Sequence, residues 1–133
     1  MLLTLQLLPQ TFAVCRLAAI DAVPAWATEG IVFNAIVRTT DELSVVCEER
    51  FVPPGGRVKY EGGWRCFKVQ GPLDFGMTGI VAGLTAPLAE AKISIFAVST
   101  FETDYLMVKA ENVESAIMAL MQSGHLVEMA HET

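Results

Sequence analysis

Ile93-Ser94-Ile95-Phe96-Ala97-Val98, then Ser99-Thr100-Phe101-Glu102-Thr103-Asp104, then Tyr105-Leu106-Met107-Val108: two β-branched and aromatic runs flank a short polar connection, the pattern of a β-hairpin. Working outward from it, the apolar positions Ile80, Val81, Leu84, Leu88 and Ala91 repeat at the spacing of one helical face. Pro87 lies inside that face, where its ring presses on the Gly83 carbonyl and predicts a kink or a tightened turn. On the other side, Val113, Ala116, Ile117, Leu120 and Met121 mark a second helix, with Asn112 as its cap and Gly124 as its stop. Trp64 to Val69 alternates as a leading strand, and Leu126 to Met129 returns as a last one. Gly and Pro punctuate Gln70 to Gly76 as a loop. The order is β-α-β-β-α-β, a split βαβ unit with an antiparallel sheet and two helices on one face.

The first half repeats this unit incompletely. Thr11 to Leu17, Ile31 to Arg38 and Leu43 to Cys47 read as strands, while Val23 to Ala27 has room for one helical turn. No second amphipathic helix follows. Pro53-Pro54-Gly55-Gly56 opens a loop, and Glu61-Gly62-Gly63 leads into the second unit. Leu3 to Leu8 is expected to supply the strand the first unit lacks. The fold class is therefore α+β, two ferredoxin-like (βαββαβ) units with a degenerate N-terminal one, divided as 1–61 and 62–133.

Composition narrows the function. Hydrophobic residues make up 53% of the 133 and charged ones only 18%, which points to an extensive buried interface. No apolar stretch reaches the roughly 20 residues of a membrane-spanning helix, and the apolar N-terminus carries no basic segment of a signal peptide. A formal charge of −6 without a basic stripe argues against nucleic acid. Cys15, Cys47 and Cys66 have neither ligand spacing nor an even count, so they read as reduced, buried small hydrophobes. That suits a cytoplasmic location. No metal and no cofactor are expected. His125 and His131 read as solvated surface residues. Glu102 and Asp104 have no opposing acid or base in sequence, so no catalytic residue is assigned.

Thr78-Gly79-Ile80-Val81, Pro87-Leu88-Ala89-Glu90-Ala91 and the run from Ile93 to Val108 resemble an ACT domain. The likeness is to the regulatory ACT domains of aspartate kinases and to the CASTOR amino-acid sensors. With Glu42-Leu43-Ser44-Val45-Val46 added, the chain resembles bacterial tandem-ACT relatives of those sensors. The resemblance implies a non-catalytic regulatory protein that binds a free amino acid where two ACT units meet. It implies ligand contacts from Asp74, Met77, Thr78 and Gly79, from Thr100, Phe101, Thr103 and Asp104, and from Ser44 with Val45. The arginine-sensing relatives have an acidic residue where this chain has Met77, so a guanidinium loses one carboxylate partner.

Read as residues, these positions suit the chemistry. The N–H groups of Thr78 and Gly79 at a helix start favour a carboxylate, and Asp104 suits an ammonium. Met77 and Phe101 offer apolar wall. A homodimer and a separate target protein are expected as partners. The competing readings are a ligand-free interaction module on the same fold, and a small ferredoxin-like enzyme.

Overall fold

The computed structural model describes residues 2–71 and 78–130. Among these residues seven strands and two α-helices follow one another: β1 (Thr4–Leu17), β2 (Ala35–Arg38), β3 (Leu43–Glu48), β4 (Lys59–Val69), α1 (Ile80–Glu90), β5 (Ile95–Ser99), β6 (Asp104–Lys109), α2 (Val113–Gln122) and β7 (Leu126–Met129). The chain divides into two units, one of residues 1–9 with 65–133, the other of residues 10–64. The long strands β1 and β4 run through both. Pro9, which has no N–H to give to a ladder, sits in β1 where one unit passes to the other.

The unit containing the C-terminal half has the β-α-β-β-α-β order. Strands β5 and β6 pair antiparallel, with Ile95 opposite Val108 and Ser99 opposite Asp104. Leu84 and Leu88 of α1 and Ala116 and Leu120 of α2 close, with Phe67, Val69, Leu106 and Val108, one continuous core. Burying a Leu or Phe side chain of this kind stabilises by about 1.5–3 kcal/mol.

The stretch expected to complete the first unit lies here instead. Leu5 and Leu7 are fully or nearly fully buried in this core. Thr4 to Leu7 pairs parallel with Leu126 to Met129, and the Gln70 N–H donates to the Thr4 carbonyl (2.8 Å). The front of β1 thus lies between β7 and β4, where an unmodified split βαβ unit would pair those two directly.

Pro87 stays within α1, and its missing N–H leaves the Gly83 carbonyl without a helical donor. His125 fills the gap, its Nε2 lying 3.2 Å from that carbonyl while its Nδ1 accepts the Leu3 N–H (3.1 Å). His125 is 3% exposed, which corrects its reading as a surface residue. Asn112 stands at the cap of α2, yet no side-chain bond caps that helix. A 3-10 turn, Ala110–Asn112, leads into it and carries the chain round. Gly124, with φ 95°, ends α2 as expected.

In the other unit, β3 lies between β2 and β1, antiparallel to both. Its core holds Ala13, Cys15, Ala27, Val45 and Cys47. The only helical pieces among its described residues are 3-10 turns, Ala25–Thr28 and Glu49–Phe51, so this unit is the degenerate one. Strand β2 is shorter than the run from Ile31 predicts; Ile31 is 95% exposed, while Phe33 packs edge-on against Phe12. The Glu61-Gly62-Gly63 segment, expected to lead into the second unit, already lies within β4. A Cβ on Gly62 would run into the Glu49 carboxylate, which accepts the Gly63 N–H (2.7 Å).

Candidate functional site

The connection between β5 and β6 is built from threonine chemistry. The Thr100 N–H donates to the Thr103 carbonyl (2.8 Å), and the Thr103 N–H donates to Thr100 Oγ1 (3.2 Å). These bonds close residues 100–103 into a tight turn and leave Phe101 at its tip, 80% exposed. Thr103 faces inward. Its hydroxyl donates to the Val69 carbonyl (2.6 Å) and latches the hairpin onto the end of β4. The next residue, Asp104, is 8% exposed, and its Oδ1 accepts the Ser99 hydroxyl (2.6 Å). A charge-assisted bond this short fixes the carboxylate's direction.

From Val69 the chain leads through 70–77 to the start of α1. Gly79 has φ 75° and ψ 4°, a backbone conformation that glycine adopts without strain, and nothing would touch a Cβ there. No side chain caps α1, so Thr78 does not act as its cap, and both Thr78 and Gly79 are exposed. Uncapped first-turn N–H groups and the helix dipole favour an anion at this point.

Of the ten expected ligand residues, four (Thr100, Phe101, Thr103, Asp104) share one turn tied to the end of β4, the strand that precedes α1 and its Thr78–Gly79 start. Asp74 and Met77 lie outside the described residues. Ser44 and Val45 belong to the 10–64 unit. There the Ser44 hydroxyl donates to Glu42 Oε1 (2.7 Å), whereas the Val45 side chain is wholly buried in that unit's core.

Sequence reasoning missed Ser99 as the partner of Asp104, although a serine opposite an aspartate across a hairpin was available as a signal. It also missed His125; the press of the Pro87 ring on the Gly83 carbonyl was read, but not the lost donor or the imidazole that takes its place. None of the three cysteines is among the expected ligand residues. All three thiols are buried and free. Burial pushes Cys66 up to about 12, and the bond with Cys15, then burial, raises Cys47 well above the usual thiol range. Among the described residues no cluster of His, Cys, Asp and Glu is placed to hold a metal, and no helix is long and apolar enough to cross a membrane.

Residues 59–122 match the family model of the ACT domain, and residues 10–55 match a model of an N-terminal domain. The β-α-β-β-α-β order and this match identify residues 59–122, a little under half of the chain, as an ACT domain. A crystal structure of a protein from Agrobacterium tumefaciens is similar over nearly the whole molecule, with 40% identity, a TM-score of 0.91, and 99% of this chain and 96% of that one covered. The human protein described as cytosolic arginine sensor for mTORC1 subunit 1 is 40% identical over 60 residues. That match takes in 44% of this chain and 18% of the sensor, so only a small part of the curated relative is represented. The ligand-free regulatory subunit of aspartate kinase from Thermus thermophilus shares the fold, with a TM-score of 0.61 at 12% identity over 90% of this chain and 96% of that one.

Proposed function

We propose that this protein is a non-catalytic, cytoplasmic regulatory sensor that binds a free amino acid. Asp104 carries the reading. It is a nearly buried carboxylate, aimed by Ser99, on a turn latched to β4, and an ammonium is the ligand group it suits. The uncapped start of α1 at Thr78–Gly79 supplies N–H groups for the ligand's carboxylate. Phe101 offers apolar wall, Thr100 and Thr103 hold the turn, and Asp74 and Met77 belong to the set on the resemblance alone. Ser44 and Val45 join the set on the resemblance to the sensors.

The relative's arginine-sensing role supports an amino-acid ligand here, but Met77 stands in place of an acidic residue and favours a side chain other than a guanidinium. The protein acts as a homodimer on a separate target protein. A melting screen against each proteinogenic amino acid tests the reading, with arginine expected among the weaker responses. A ligand-free interaction module is the second reading, favoured by the exposure of Phe101 (80%), Met118 (60%) and Met121 (52%). A screen in which no amino acid moves the transition would support it.

A further inference from the structure

Two of the three buried thiols lie together. In the antiparallel register of β1 and β3, Cys15 stands opposite Val45 and Ala13 opposite Cys47. Side chains alternate along a strand, so these four share one face of the sheet. That face belongs to the core of the 10–64 unit, which holds all four together with Ala27. Cys15 and Cys47 are thus diagonal neighbours on adjacent strands, nearly wholly buried, and their thiols bond to one another. Cys66 belongs to the other unit.

The bond between them has a direction. Cys47 donates, which lowers the Cys15 thiol and raises the Cys47 thiol. Cys15 is therefore the first of the two to ionise, and the thiolate is the nucleophilic form. Trp26 and Ala27 of the 3-10 turn Ala25–Thr28, with Leu17, Val52 and Val58, pack against this core. That turn has no side-chain cap, and opening so short an element takes less free energy than unfolding the unit. Diagonal neighbours in a sheet lie about 7–8 Å apart, at the outer limit of what a disulfide spans. A bond between these two is strained, and a strained bond is readily reduced rather than a permanent staple.

We propose that Cys15 and Cys47 are a site of reversible oxidation, joined in a disulfide by a hydroperoxide. The Cys15 thiolate attacks one peroxide oxygen, the O–O bond breaks, and hydroxide leaves to take up the proton that Cys15 lost. The Cys47 sulfur then attacks the sulfur of the Cys15 sulfenic acid, whose hydroxyl leaves as water with the Cys47 proton. Two electrons pass from the thiols to the oxidant, and with hydrogen peroxide the products are one disulfide and two waters. This site does not depend on the amino-acid reading above. To test it, the folded protein is treated with hydrogen peroxide, its remaining thiols are alkylated in denaturant, and the pairing is mapped by peptide mass spectrometry. The Cys15–Cys47 link is expected to exceed any pairing with Cys66 about tenfold, because the fold holds these two thiols in contact. Dithiothreitol should then return three free thiols. In an unfolded chain loop closure favours the shorter Cys47–Cys66 pairing, so the same treatment in urea should shift the link towards Cys66. Cys47→Ala should leave a Cys15 sulfenic acid that dimedone traps. Pairing with Cys66 or between chains in the folded protein would overturn the proposal. So would the same pairing with and without urea, or Cys15 and Cys47 both still alkylated after a treatment that fully oxidises free cysteine.

Discussion

His125 shows how one side chain settles two debts of the backbone at once. Pro87 deprives the Gly83 carbonyl of its donor, and the Leu3 N–H needs an acceptor where β1 begins; the two ring nitrogens meet both. His125→Ala is expected to destabilise the fold by about 2–4 kcal/mol, because two backbone groups lose their partner. His125→Gln, whose amide donates and accepts, should recover part of that loss. Urea denaturation of the three proteins checks this, and an unchanged midpoint in His125→Ala would remove the bridge from the account. Cys66 makes a second residue-scale test. Burial raises its thiol from 9.0 to about 12, so above pH 9 the unfolded chain releases a proton that the folded chain keeps. Stability should therefore fall as pH rises from about 9 towards 12. Cys66→Ala should flatten that slope in denaturation curves taken at pH 8 and 11, beyond the parallel contribution of Cys47.

At the scale of elements, the β5–β6 hairpin was legible because its signals are local. The β-branched runs and the Thr-Phe-Glu-Thr connection act on neighbours in sequence, and the register found puts Ser99 opposite Asp104. The placement of Leu3 to Leu8 was not legible. Its parallel partner β7 lies more than 100 residues away, and an alternating apolar run does not name the sheet it joins. The start of β4 ahead of Trp64 was hidden for a different reason: Gly62 and Gly63 carry no side chain to continue the alternation, and the Glu49 carboxylate that accepts the Gly63 N–H belongs to another element. The latch of the hairpin can be tested alone. Thr103→Val keeps the shape but leaves the buried Val69 carbonyl without its donor, and should cost about 1–3 kcal/mol. Equal stability in thermal melts would show that the latch contributes nothing.

At the scale of the molecule, the β-α-β-β-α-β order of the C-terminal half and the degeneracy of the first half could both be read from hydrophobic periodicity, because core positions on two helical faces, Ile80, Leu84 and Leu88 on one and Ala116 and Leu120 on the other, repeat cleanly in the second half alone. The contribution of the N-terminus to the C-terminal unit could not. Of the candidate site, the Thr100–Asp104 turn and the Gly79 helix start were legible as types of residue in a pattern; the Ser99 bond that aims Asp104 needed coordinates. The central claim is that this turn receives the ammonium of a free amino acid. Titration calorimetry with the best amino acid from the melting screen, on the unmodified protein and on Asp104→Ala, tests it most directly. In that screen a ligand at about 100 times its dissociation constant adds roughly 2.7 kcal/mol and moves the transition by a few degrees. Asp104→Ala is expected to weaken binding by about 2–5 kcal/mol, as when one partner of a buried charge pair is removed; equal affinities for the two proteins would contradict the account.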